Sequence, residues 1–197
     1  MYKILNMIIK RIVDFFGSAI GLVVLSPFLV IIAILIKCSS KGPVFFLQER
    51  IGKQGKVFKI IKFRTMVMNA EKIGSGVFIN EKNDDRITKV GRFLRSTSLD
   101  ELPQLFNVLV GDMSLVGPRP PVVYHPYDGY ENYPSWAKKR FDMRPGMTGL
   151  VQITSRSESS WDERITVDNE YIDNFSVLLD LKILFGTIMT VIKGEAY

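Results

Sequence analysis

The sequence predicts a mainly helical α+β protein with a membrane helix at its N-terminus and a small β-hairpin behind it. Three observations carry this expectation. Phe15 to Ile36 is a run of 22 uncharged residues, long enough to cross a bilayer as a helix. Residues 44–47 and 57–66 are rich in β-branched and aromatic side chains and flank Gly52-Lys53-Gln54-Gly55, which reads as a hairpin. Much of the remainder repeats its apolar residues at helical spacing.

The apolar run is the first element. It is too long for the core of a cleavable signal peptide, and no small-x-small site precedes Lys37. Ser26-Pro27 sits near its middle, where proline removes a backbone donor and kinks a helix. The Ser26 hydroxyl can bond a carbonyl freed there. Basic residues flank both ends, Lys10 and Arg11 before and Lys37 and Lys41 after. A kinked transmembrane helix and a helix that enters, bends and returns to the same face both satisfy the preference of positive flanks for the cytoplasmic side.

Gln48 to Gly52 reads as a turn between the two strands. Along the second strand Phe58, Ile60, Lys62 and Arg64 share one face, with Lys62 and Arg64 about 7 Å apart. The bland alternative is an edge strand blunted by charge. A short helix is expected at 68–72 and a polar loop at 74–85. Residues 88–95 set Val90, Phe93 and Leu94 against Lys89, Arg92 and Arg95, an amphipathic helix for a membrane or an anion.

The next helix begins near Asp100, carries Leu102, Leu105, Phe106 and Leu109 on its apolar positions, tolerates Pro103 in its first turn and stops at Gly111. It opens with two adjacent carboxylates, Asp100 and Glu101. Capping explains them simply, since Ser98 and Glu101 fit the S-x-x-E capping box. Their setting between Arg92, Arg95 and Pro118-Arg119-Pro120 suggests chemistry on an anion instead. Prolines on both sides hold Arg119 extended, a good posture for a guanidinium that forks onto phosphate. Residues 122–137 are aromatic without a period, Arg144-Pro145-Gly146 is a second turn, and 155–163 is polar loop. Helices follow at 165–175 and 178–192, the last apolar around much of its circumference and therefore buried or interfacial.

Composition sets limits. A net charge of +6 and a pI near 9.4 fit nucleic acid, anionic lipid or phosphorylated substrates. One cysteine, Cys38, excludes an internal disulfide and a Cys-rich zinc site, and one histidine, His125, argues against a histidine metal site or a Ser-His relay.

Taken in series, the motifs are specific. They run Gly42-Pro43-Val44-Phe45-Phe46-x-Gln48-x-Arg50-x-Gly52, Lys62-Phe63-Arg64-Thr65-Met66, Arg95-x-x-Ser98-x-Asp100-Glu101-Leu102-Pro103-Gln104, Gly111-Asp112-Met113-Ser114-x-Val116-Gly117-Pro118-Arg119-Pro120 and Arg144-Pro145-Gly146-x-Thr148-Gly149. In this order, over nearly the whole chain, they closely resemble the bacterial monotopic phosphoglycosyl transferases, also called bacterial sugar transferases. At this length the chain looks like the minimal catalytic unit, without the extra N-terminal membrane bundle of the long members.

The resemblance implies transfer of a sugar 1-phosphate from a UDP-sugar to a polyprenyl phosphate, usually undecaprenyl phosphate. UMP is released, and the reaction runs through a covalent aspartyl-phosphosugar with Mg2+ as cofactor. It implies that residues 1–40 form a re-entrant anchor broken at Ser26-Pro27. Residues 41–197 would then form a catalytic domain on the cytoplasmic face of the inner membrane. By motif, Asp100 matches the nucleophile and Glu101 its acidic neighbour, both expected to serve catalysis and Mg2+. Lys62, Arg64, Arg95, Arg119, Arg144 and Asp168 are carried over as substrate-binding. The chemistry suits them, because a diphosphate repels an attacking carboxylate until its charge is neutralised. A helix N-terminus adds donors and should keep Asp100 ionised.

Rival readings fare worse. A tethered nucleic-acid-binding protein predicts clustered bases and a reading helix, without a carboxylate pair among them. Adjacent residues on a helix diverge by about 100°, whereas glycosidases flank the bond with carboxyls roughly 5 to 9 Å apart. A non-catalytic membrane adaptor would have no use for so many Gly-Pro-Arg turns. A homodimer is compatible with the sequence, the sugar is not legible in it, and loops 74–85 and 122–137 are the places where donor specificity is expected.

Overall fold

A computed structural model describes residues 2–70, 84–154 and 159–193. The chain is α+β and mainly α. Its first element, α1 (Tyr2–Ser39), is followed by an antiparallel hairpin of β1 (Phe45–Ile51) and β2 (Val57–Phe63). Next come α2 (Lys89–Ser96), a 3-10 turn at Leu99–Glu101 and α3 (Gln104–Val110). Two three-residue strands, β3 (Ser114–Val116) and β4 (Gly146–Thr148), pair in parallel and enclose α4 (Ser135–Lys138) in the connection between them. The short α5 (Leu150–Thr154), then α6 (Trp161–Asp173) and α7 (Val177–Ile192), complete the body.

Helix α1 wears its polarity inside out. Asn6, Lys10, Asp14 and Ser18 recur every four residues and are all buried, while Ile8, Ile12, Phe16, Ile20, Val24 and Val30 are exposed. The buried stripe is bonded to the body. Lys10 Nζ donates to the Val116 carbonyl at 2.8 Å and to Asp180 Oδ2 at 2.6 Å. Asp14 accepts from Ser114 Oγ at 2.8 Å and from the Leu115 amide at 2.9 Å. Arg11 donates to the carbonyls of Val108 and Leu109 in the last turn of α3, groups that a helix end leaves without intrahelical partners. Farther along, Ile32 and Ile36 join Phe63 and Leu94 in a small core. Both halves of α1 therefore rest on the same body.

Helical assignment runs unbroken through Ser26-Pro27, which lies mid-helix. Pro27 has no N–H for the Val23 carbonyl, four residues back. Ser26 Oγ repairs that loss by donating to the same carbonyl at 2.7 Å.

The hairpin turns later than its sequence suggests. Gln48 to Ile51 stay paired in β1, with Ile51 opposite Val57, and the reversal falls on Gly52 to Lys56. Helix α2 is capped by Thr88, whose side chain accepts from the Gly91 amide. It presses so closely on the Thr65 carbonyl that any side chain at Gly91 would collide with it. Leu94 is its buried apolar residue, while Phe93 is exposed. Part of the aromatic stretch 122–137 builds a core, although Tyr124 and Trp136 stay exposed. Tyr133, Ala137, Phe141, Ile51 and Ile165 pack together there, with Tyr127 and Tyr130 against them. Helix α6 begins four residues before the expected position, because Ser160 and Glu163 form a reciprocal capping box. Ile183 of α7 is buried, while Leu178, Leu181, Phe185 and Ile188 face outward. Of the short helix expected at 68–72, Met68 to Ala70 are described and begin with a turn in which Asn69 takes a positive φ of 58°, while 71–72 and the expected loop up to residue 83 lie outside the described residues.

Candidate functional site

Three elements converge on the carboxylate pair. The 3-10 turn Leu99–Glu101 is contacted by β2 on one side and α2 on the other, and α3 continues from it. Ser98 adopts a left-handed backbone with φ of 55° and its side chain makes no cap bond. The capping box that the sequence allows is thus absent. Glu101 turns instead toward cations: its Oε1 accepts from Lys62 Nζ at 2.7 Å and from Arg119 Nη2 at 2.9 Å.

Asp100 is 7% exposed, and among the described residues its Oδ1 has no hydrogen-bond partner. A buried polar atom without a partner is costly, so this oxygen is held ready for something other than packing.

The electrostatics follow from burial and neighbours. Burial raises the Asp100 carboxyl above its ordinary pKa, and Glu101 pushes it the same way against the downward pull of Lys62 and Arg95. The helix-terminus effect expected from sequence is thus outweighed by desolvation. Burial also works against an ionised Glu101, but Arg119 and Lys62 together hold its carboxyl well below the usual range. Lys62 is drawn below its ordinary value by burial, with Arg119 adding to the effect and Glu101 opposing it.

The sequence-predicted residues divide into two groups. Lys62, Arg95, Asp100, Glu101 and Arg119 come together. Arg95, on the last turn of α2, is anchored by Nε donating to Thr65 Oγ1 at 2.9 Å. Arg64 is not brought to the cluster. Strand β2 ends at Phe63, and the Arg64 guanidinium donates to the Ser40 carbonyl at 2.8 Å and to Ser40 Oγ at 2.9 Å, tying the hairpin to the end of α1. Arg144 donates through Nε to the Gly111 carbonyl at 2.8 Å, fastening the chain reversal after α3. Asp168 lies on α6 in a buried ion pair with Arg140. Burial raises its carboxyl to about 6 against the pull of Arg140.

Two residues without a role in the sequence reading stand out. Arg140 is nearly fully buried beside Asp168, and nothing in the local sequence distinguishes it from an exposed base. Gln104, four residues beyond Asp100 and so on the same side of the helical turn, is 2% exposed with no partner for Nε2 among the described residues. Its place in the Asp-Glu-Leu-Pro-Gln motif was the available signal.

Backbone packing explains the glycines around Arg119. Gly117 N donates to the Thr148 carbonyl and Gly146 N to the Pro118 carbonyl. A side chain at Gly117, Gly146 or Gly149 would strike the facing backbone. Among the described residues no group of three or more His, Cys, Asp or Glu could enclose a metal ion.

Residues 5–194 match the family model for bacterial sugar transferases. The chain is 47% identical over 197 residues to a Klebsiella pneumoniae protein named UDP-glucose:undecaprenyl-phosphate glucose-1-phosphate transferase, covering 96% of this chain and 41% of that protein. It is 41% identical over 203 residues to the galactosyl transferase CpsE of Streptococcus agalactiae, covering 98% of this chain and 44% of the relative. It is 44% identical over 202 residues to the exopolysaccharide production protein PSS of Rhizobium leguminosarum, covering 98% of this chain and 100% of that one. The chain thus spans less than half of two of these relatives and the whole of the third.

Proposed function

The chain belongs to the bacterial sugar transferase family, and from that premise we propose that it moves a sugar 1-phosphate from a UDP-sugar to undecaprenyl phosphate. The observation that carries this reading is Asp100: a buried carboxylate with one oxygen unbonded among the described residues, beside a second carboxylate neutralised by two cations. The name of the Klebsiella relative supports both the acceptor and the donor class.

The exchange divides into two displacements at one phosphorus. In the first, an Asp100 oxygen attacks the β-phosphorus of the UDP-sugar. The bond to the oxygen bridging the two phosphorus atoms breaks, and UMP leaves with that electron pair. In the second, a phosphate oxygen of undecaprenyl phosphate attacks the same phosphorus and the Asp100 oxygen leaves. Both transition states gather negative charge on the transferring phosphoryl group, and preorganised cations stabilise it. Lys62, Arg95 and Arg119 are the candidates for this role. Glu101 keeps Lys62 and Arg119 in register through a shared oxygen. Lys62 and Arg95 also favour the ionised form of Asp100 that attack requires.

The donor set fits Mg2+ held through Asp100, since the ion commonly takes one or two carboxylates together with substrate phosphates and water. Glu101 Oε1, already shared by two cations, is the less suitable ligand. When bound, the ion would neutralise phosphate oxygens beside the nucleophile.

Helix α1 fits a re-entrant anchor, with residues 41–197 as a catalytic domain on the cytoplasmic face of the cell membrane. Ile4–Ser39 is long and apolar enough to cross a membrane. Yet Lys10 near one end and Ser40 beyond the other bond the same body. A spanning helix would carry those points to opposite faces, about 30 Å apart, and the polar body would have to follow. A helix that dips and returns keeps both basic flanks on one face and lets the site meet a soluble nucleotide sugar and a lipid phosphate together.

The test is UMP release from a panel of UDP-sugars with undecaprenyl phosphate and Mg2+. Release from one or two donors, abolished in Asp100→Asn while membrane attachment persists, is the expected result. Equal release by the variant would reduce Asp100 to a structural residue.

A further inference from the structure

The segment Pro118-Arg119-Pro120-Pro121 has three prolines and so almost no backbone donors. It is held by its carbonyls. The Pro118 carbonyl accepts from Gly146 N at 3.0 Å, and the Pro121 carbonyl from Ile51 N at 3.0 Å. The Pro120 carbonyl accepts from Arg50 Nη1 at 2.9 Å and the Arg119 carbonyl from Arg140 Nη2 at 2.8 Å. Arg140, in the 3-10 turn Lys139–Phe141, is paired by the same Nη2 with Asp168 Oδ2 at 2.7 Å, the two side chains being 2% and 3% exposed.

A buried ion pair is a poor device for stability alone, because desolvation cancels much of its attraction. This one stands where a carbonyl next to two prolines needs a charged donor. The far end of that residue, Arg119 Nη2, lies 2.9 Å from Glu101 Oε1.

We infer that Asp168 and Arg140 are positioning residues for Arg119: Asp168 orients the Arg140 guanidinium, Arg140 fixes the Arg119 carbonyl, and the Arg119 side chain is thereby delivered to Glu101. In this account Asp168 never touches substrate. The inference rests on the reading of Asp100, Glu101 and Arg119 as a transferase site.

A double-mutant cycle tests it. UMP release with a radiolabelled donor gives kcat/KM for wild type, Asp168→Asn, Arg119→Ala and the double variant. Thermal midpoints are measured alongside, and Asp100→Asn serves as control. Asp168→Asn is expected to lose about 10- to 100-fold, the usual cost of removing a group that orients a functional one. In the Arg119→Ala background the same substitution should change kcat/KM by less than about twofold, since the two act as one unit. An equal loss in both backgrounds, or wild-type activity of Asp168→Asn, overturns the inference. Arg140→Lys keeps the charge beside Asp168 and covers the case in which Asp168→Asn does not fold. It should repeat the loss and its dependence on Arg119, and wild-type activity there is equally fatal. Turnover retained by Asp100→Asn would instead sink the transferase site, while the cycle would still report whether Asp168 and Arg119 are coupled.

Discussion

Glu101→Gln isolates charge from shape at the centre of the site. The wild-type carboxylate offers one oxygen to two cations, Lys62 at 2.7 Å and Arg119 at 2.9 Å. Breaking a buried ion pair by removing one partner costs about 3–5 kcal/mol. The two cations do not share that cost equally. The Arg119 side chain is 40% exposed and its interaction is screened, whereas the Lys62 side chain is 15% exposed. The lower bound, about 3 kcal/mol, is therefore the better figure for the stability lost, and displacement of the two cations that Glu101 orients should separately lower kcat/KM by about 10- to 100-fold. The substitution also carries a pH signature. Burial and Arg119 lower the Lys62 pKa, and Glu101 is the chief group raising it. Without that carboxylate the ammonium loses its proton at lower pH, so activity falls at lower pH on the alkaline side. The assay is kcat/KM for UMP release across pH for both proteins, with thermal midpoints to separate unfolding from chemistry. A variant within about twofold of wild type whose alkaline limb has not moved would refute the reasoning, since the buried Lys62 ammonium without its carboxylate should cost far more than that.

Two further predictions follow from burial. As the proposed nucleophile Asp100 must be ionised, and burial raises its pKa, so kcat/KM should fall as pH drops through a value above the ordinary 3.8. Lys62→Met removes a group that lowers that pKa and should move the acid limb higher, and a limb at or below 3.8 in the wild type would contradict the burial argument. Lys10→Met leaves Asp180 buried against α1 without its cation, at a cost of about 3–5 kcal/mol. Thermal unfolding in detergent should register this, with much of the loss recovered in Lys10→Met/Asp180→Leu, and no recovery would mean that the pair contributes more than mutual neutralisation.

The two capping boxes show where the sequence is a reliable guide and where it is not. Ser98 and Glu101 have the spacing, yet Glu101 bonds Lys62 and Arg119 and Ser98 caps nothing. Ser160 and Glu163 have the same spacing in a stretch read as loop, and there the box forms. Local spacing is identical in the two cases. The outcome differs because two cations from elsewhere in the chain reach one glutamate and not the other. The hairpin and the stop at Gly111 are legible because each is settled by neighbours in sequence. The contacts of Arg64 and Arg144 are not, since each stands inside a motif whose resemblance implies a substrate-binding base. Their guanidiniums close backbone carbonyls at Ser40 and Gly111, contacts that exist only once the fold does. The parallel pair of three-residue strands had no periodic signal to read, although the glycines that permit its close backbone approach stood in two quoted motifs.

The same distinction governs α1. Near its N-terminus Lys10 and Arg11 read in the sequence as a membrane flank, and Asp14 lies one turn farther on. In the structure their polar atoms serve Val116, Asp180, the last carbonyls of α3 and the backbone of β3. An amphipathic helix on a water-soluble body turns its apolar stripe inward, and this one turns its polar stripe inward. That inversion is stable only where the surroundings are apolar, because exposed Ile, Val and Phe along the outer face gain nothing from water. Hydropathy alone cannot separate a span from an anchor that returns. The bonds bear on the question, since the chain meets the same body near Lys10 and again at Ser40, which supports the proposed return to one face. The Asp100–Glu101 pair lies on the same body, so the bonds that hold α1 also set where Asp100 stands relative to the lipid phosphate it is proposed to serve.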